Sequence, residues 1–114
     1  MEKLKVFISS PYTKGDQGEN VRIQMDMFKV LYEEGFMPFA PLLYHFQHEV
    51  HPMSYEEWME IDFAWIESCD VVLRLPGESE GADREVFHAY KCELPVVNSL
   101  EGLKVVAETF GLFK

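Results

Sequence analysis

The chain has little cysteine, few basic residues and no long apolar run, and each shortage removes a class of protein. Only Cys69 and Cys92 occur in its 114 residues. Both fall in apolar stretches and their spacing is that of neither a metal nor a redox motif. A disulfide scaffold is therefore excluded, and reduced core thiols are expected. No apolar run approaches the ~18 residues needed to cross a bilayer. The opening Met1-Glu2-Lys3-Leu4-Lys5 lacks a signal peptide's apolar stretch. A cytoplasmic protein without a membrane partner is expected. Ten Lys and Arg stand against twenty Asp and Glu, a formal charge of −10. That field repels a phosphate polymer and argues against DNA or RNA as partner. A single small anion remains accessible, since local backbone amides hold one phosphate whatever the overall charge.

What is present is globular: 47% hydrophobic residues, too many for a disordered chain of this charge. With no repeat, low-complexity tract or linker, residues 1–114 read as one domain. Leu4 to Ser9 reads as a first strand, stopped by Ser10-Pro11. From about Gly18 to Glu34, Val21, Met25, Phe28 and Tyr32 recur at the spacing of a helix face, and Gly35 follows where a left-handed cap belongs. Phe36 to Pro41 is a short strand whose prolines suit a sheet edge. Leu42 to Met53 reads as a loop rich in His and aromatics. Ser54 and Glu57 form a capping box that starts a second helix, running to about Ser68. Asp70 to Leu75 is apolar without alternation, a strand covered on both faces. A third helix follows from about Gly81 to Cys92, then a strand, Leu94 to Val97, and a last helix, Leu100 to Phe110. Strands alternating with helices predict a three-layer, flavodoxin- or Rossmann-like α/β fold with a parallel sheet of about four or five strands. Its ligand crevice lies beyond the carboxyl ends of the strands.

Two carboxylates stand out. Asp62 falls on the apolar face marked by Trp58, Ile61 and Trp65, where an unpaired charge is expensive and is either hydrogen-bonded or functional. Glu85 lies in the first turn of the third helix, where the dipole favours an anion and so a ready nucleophile. Ala82 and Ala89 flank it at helical spacing and leave room for close approach. Ser79 and Gly81 precede that helix and offer a hydroxyl and amides to an anion. Ser9, Ser10 and Tyr12 border the same crevice.

This ordered set resembles the nucleoside 2-deoxyribosyltransferase superfamily, including the deoxynucleoside 5'-monophosphate N-glycosidases: a strand ending in Ser9-Ser10-Pro11-Tyr12, a helical Asp62 eight residues before Asp70-Val71-Val72, and Ser79-x-Gly81-x-x-x-Glu85-x-x-x-Ala89. The resemblance spans roughly Leu4 to Val97. It implies that Glu85 attacks the anomeric carbon, that Asp62 contacts the base and protonates it, and that Ser79 and Gly81 hold a 5'-phosphate. Tyr12 matches a loop aromatic near the sugar. That branch's basic phosphate ligand has no matching residue here, Lys14 being the nearest cation. The residues around the nucleophile also depart from the usual Gly-x-Glu-x-Gly, with Arg84 beside Glu85. The implied activity is cleavage of the N-glycosidic bond of a nucleoside or its 5'-monophosphate, by hydrolysis or by transfer of the sugar. It needs no metal or organic cofactor. The relatives self-associate, which implies a homodimer or larger assembly in which Asn98 reaches a neighbour's pocket.

Two other readings compete. His45-x-x-His48-x-x-His51 with Glu49 is a candidate zinc tract, although the helical i, i+4 pair of histidines is missing. A non-catalytic nucleotide sensor on the same fold is the other, since fold does not fix activity.

Overall fold

The computed structural model describes residues 3–111. Within them four strands, β1 (Lys5–Ser9), β2 (Met37–Phe39), β3 (Val71–Arg74) and β4 (Val96–Val97), alternate with helices α1 (Gln17–Glu33), α2 (His45–Val50), α3 (Tyr55–Glu67), α4 (Glu80–Lys91) and α5 (Leu100–Thr109). All strand pairs are parallel, in the order β2-β1-β3-β4. This is the expected three-layer α/β architecture, with four strands.

The layers follow from the two-residue period of the strands. Val6 and Ile8 of β1, with Val71 and Leu73 of β3, pack against Leu31 of α1 and Leu103 and Ala107 of α5. The alternate residues, Phe7 and Val72, pack against Ile66 of α3 and Ala89 of α4. The central strands are thus buried on both sides, as the unbroken apolar run of β3 predicts. The capping box forms as read: Ser54 Oγ accepts from Glu57 N at 3.1 Å, and Glu57 Oε1 accepts from Ser54 N at 2.8 Å. Gly35 takes the left-handed turn at φ 97°. At the β2 edge, Met37 N–H donates inward to Leu4 O at 2.9 Å. The next residue, Pro38, turns its ring nitrogen to the open side.

Three expectations shift. The Leu42–Met53 stretch is not a loop: a 3-10 turn over Pro41–Tyr44 leads into α2. That helix buries no residue, so it lacks the apolar stripe that makes a helix legible. On α1 the buried positions are Gln24 and Leu31, while Tyr32 is exposed. A satisfied amide stands where the period calls for a hydrophobe, and it turns the face by one residue. On α3 the deepest residues are Met59 and Ile66, and Trp65 is 43% exposed while stacking on Phe39 at 4.8 Å.

The loops leaving β1 and β3 touch where Gly77, at φ 124°, passes Pro11; a Cβ there would lie 2.6 Å from Pro11 Cγ. Gly77→Ala adds both a clash and an unfavourable φ. It is expected to lower stability by about 1–3 kcal/mol in urea unfolding. An unchanged midpoint would show that the two loops are not locked together.

Candidate active site

From β1 the chain crosses to β2 on one side, while β3 and β4 lie on the other, so the crevice of a parallel sheet opens between β1 and β3. There Ser9 pairs with Arg74, and Leu75 N donates to Ser9 O at 2.8 Å. Ser9 continues the side of β1 that carries Phe7, so its hydroxyl turns toward α4 and donates to Glu85 Oε1 at 2.7 Å. Ala82, Glu85 and Ala89 form the buried stripe of α4, the small residues bringing the helix close enough for that bond. Asp62, one turn after Met59 on α3, reaches the same point and is hydrogen-bonded to Glu85. Carboxylates only accept, so this bond requires one proton between the two groups.

Burial raises both carboxyls above the ordinary range. Glu85 is pushed well up, first by burial and then by its hydrogen bond to Asp62 and that group's charge; the Ser9 hydroxyl and Arg74 pull it back. Asp62 is raised by burial against the hydrogen bond from Glu85. The expectation that the helix N-terminus holds Glu85 anionic is therefore corrected. The first turn of α4 is occupied by Glu80 and Asp83, and Glu85 sits half a turn beyond it, where desolvation outweighs the dipole.

A cavity of about 240 Å³ opens above the pair, near the small end for ligand sites. Ser10 lies at its base, and Ser79 and Gly81 lie at the α4 N-terminus, where Ser79 Oγ caps the helix by accepting from Ala82 N at 3.0 Å. Tyr12, Tyr44 and Trp58 supply aromatic walls. The Tyr12 hydroxyl meets His45 Nδ1 at 2.5 Å, and His45 Nε2 meets Glu49 at 2.6 Å. With Nε2–H given to Glu49, Nδ1 accepts a hydrogen bond from the phenol. Burial, then the charge of Glu49, raises the Tyr12 phenol and keeps that proton on it. His48 Nδ1 accepts from Trp58 Nε1 at 2.7 Å and Met53 N at 3.2 Å. Both partners only donate, so His48 carries its proton on Nε2. His51 is exposed at the end of α2. The tract is a wall held by hydrogen bonds, and among the described residues its histidines form no compact ligand set.

Ser9, Ser10, Tyr12, Asp62, Ser79, Gly81 and Glu85 thus converge on one place. Asn98 does not: within the chain it lines a separate hollow with Arg74, Asp83 and Phe87. Arg84 turns away from Glu85 to pair with both oxygens of Glu56, at 2.9 and 3.0 Å. Lys14 pairs with Glu78 at 2.9 Å, both exposed.

Two supporting residues escaped the sequence reading. Gln24, fully buried, donates to Ser10 Oγ at 2.7 Å and Ile8 O at 3.2 Å and accepts from Leu42 N at 2.8 Å, tying α1, the end of β1 and the cavity wall together. Arg74 donates to the carbonyls of Leu75 and Gly77 and to Asp83 Oδ1, folding the loop that delivers Ser79. Each carried a signal: an amide at an apolar helix position, and a guanidinium closing an apolar strand.

The parallel sheet with helices on both faces and a carboxyl pair over its switch point defines a Rossmann-like α/β fold. Among solved structures the chain is similar to that of the Clostridium botulinum CMP N-glycosidase BcmB, with TM-score 0.55 and 20% identity over 81% of this chain and 67% of that one. At the level of fold this bears out the resemblance read from the sequence. No curated protein sequence matches. Residues 4–99 match the model of the family described as Domain of unknown function (DUF7768), and the chain belongs to that family.

The raised carboxyls make a stability prediction. The folded protein holds these protons more tightly than the unfolded chain, so their contribution is complete below about pH 4 and is lost as pH climbs through the raised values. Glu85→Gln keeps a donor for Asp62 and an acceptor for Ser9. It is expected to be more stable than the natural protein at pH 8, by about 1 kcal/mol or more, with the gap closing toward pH 4 in thermal unfolding. A gap independent of pH would mean that burial of the pair is not what raises its protons.

Proposed function

We propose that the protein cleaves the N-glycosidic bond of a nucleoside or nucleoside 5'-monophosphate through a covalent glycosyl–Glu85 intermediate. The observation that carries this reading is the hydrogen-bonded Asp62–Glu85 pair at the base of an aromatic-walled cavity. Such bonds break through an oxocarbenium-like state, which calls for one carboxylate and one carboxylic acid, and a pair sharing one proton supplies both. In the reacting state Asp62 keeps the proton, and Glu85 is the anion, supported by the Ser9 hydroxyl and the charge of Arg74. A Glu85 oxygen bonds to the anomeric carbon as the carbon–nitrogen bond breaks. The electron pair leaves on the base, which takes the Asp62 proton. Water then attacks the same carbon, gives a proton to Asp62 and frees Glu85, with retention of configuration. A second base in place of water would make the reaction a transfer.

The flat walls of Tyr44 and Trp58 suit the face of a base, and Tyr12, fixed by His45, suits the sugar. A 5'-phosphate fits at the α4 N-terminus beside Ser79 and Gly81, where free amides and dipole favour an anion. CMP, named as the substrate of the structurally similar Clostridium botulinum enzyme, is in keeping with a monophosphate. We further propose that the chain self-associates, Asn98 then approaching a neighbour's cavity; Phe87 and Tyr90, 64% and 61% exposed, supply apolar surface.

Incubation with a panel of nucleosides and monophosphates, with and without an acceptor base, should release free base from at least one. Glu85→Gln is expected to reduce that release by at least about 10³-fold while remaining folded. Binding without release by the natural protein would leave the sensor reading instead. Asp62→Asn should cost about 10²–10⁴-fold with poor leaving bases and much less with activated ones. An equal loss for both would remove the proton-donor role. Activity should be bell-shaped in pH, falling at low pH as both carboxyls take protons and at high pH as the shared proton is lost.

A further inference from the structure

Away from the cavity, α3 and α4 bring together three side chains of different ligand chemistry. His88 lies in the last turn of α4 and Cys92, four residues on, caps that helix, while Glu67 ends α3 opposite them. Imidazole Nε2, thiol Sγ and carboxylate oxygen all lie within 4.8 Å of one another. His88 is held ready. Its ring stacks on Phe63 at 4.4 Å and 13°, and its Nε2 meets Glu67 Oε2 at 2.8 Å. Tetrahedral zinc, with metal–ligand distances of 2.0 to 2.3 Å, needs its donor atoms about 3.3–3.6 Å apart. Rotamer adjustment of the three side chains, none of them fully buried, covers that difference. A formal charge of −10 concentrates cations at the surface.

We propose that Glu67, His88 and Cys92 form a binding site for a borderline-soft divalent cation, zinc in class, with the remaining position open to water. Binding releases the Cys92 thiol proton to solvent, moves the imidazole proton that Nε2 gives to Glu67 onto Nδ1 by solvent exchange, and replaces the His88–Glu67 hydrogen bond with two metal bonds. The cation spans the two helices that carry the carboxyl pair: Glu67 follows Asp62 by five residues, and His88 follows Glu85 by three. It acts as a clamp between α3 and α4 and takes no part at the cavity. The two cysteines alone showed no ligand spacing because the ligands come from separate helices, which only folding aligns.

The test is titration of the purified, chelator-stripped protein with Co²⁺, whose thiolate complexes absorb in the near ultraviolet. The expected result is one Co²⁺ per chain with a sulfur charge-transfer band, displaced by Zn²⁺, and an unfolding midpoint that rises with Zn²⁺ concentration. Cys92→Ser should abolish the band, and His88→Gln should weaken binding at least about tenfold. Neither variant should gain the zinc-dependent midpoint. A band that survives Cys92→Ser, or equal binding by His88→Gln, would place the cation elsewhere and overturn the proposal, as would no binding at all. Base release is not the readout, so failure here leaves the proposed reaction untouched.

Discussion

One proton shared by the buried carboxyl of Glu85 and the partly buried carboxyl of Asp62 is the interaction on which the rest of this molecule turns. Asp62 and Glu85 belong to different helices, and nothing in the chain links them until α3 and α4 pack on the same side of the sheet. Their hydrogen bond is worth having only in a dry place, and the same dryness makes a second negative charge there costly. The surroundings are arranged around that tension. Ser9, at the end of the central strand, gives Glu85 a donor, and Arg74 on the neighbouring strand supplies positive charge without entering a direct pair. The sheet thereby stabilises the ionised form from below while α3 opposes it from the side.

Much of the framework was legible because each element carries its own punctuation. Ser54 with Glu57 marks the start of α3, Gly35 closes α1, and the uninterrupted valines of β3 identify a strand with no solvent face. The site was legible where a residue type contradicted its period. Asp62 is acidic on an apolar face, and Glu85 is acidic between two alanines of the α4 face that packs toward the sheet. Where the pattern was silent, the reading failed. Helix α2 lies on the surface with no buried residue, so its helical period left no hydrophobic trace. Gln24 lay outside the face read from the sequence, because a buried amide is recognisable only by partners that the fold supplies, here Ser10, Ile8 and Leu42.

The protonation of Glu85 shows how local rules yield to tertiary context. Proximity to a helix N-terminus is a correct reason for a low carboxylate value, yet it acts over one turn, and Glu85 lies past it. Complete burial acts over the whole side chain and wins. The likeness to the Clostridium botulinum enzyme extends over most of this chain at 20% identity, so the shared property is the scaffold. Two cations near the cavity are already engaged by acidic partners. Arg84 is committed to Glu56, and Lys14 to Glu78.

The proline at the centre of β2 has an effect beyond that strand. A neighbouring chain seeking to extend the sheet would have to find amide donors along this border, and the one residue facing outward there has none to give. Sheet-to-sheet fusion, the usual route from a parallel α/β domain to fibrous aggregates, is closed on that flank by a missing hydrogen atom. Along the β2 border, contact between copies is left to side chains rather than to the backbone ladder.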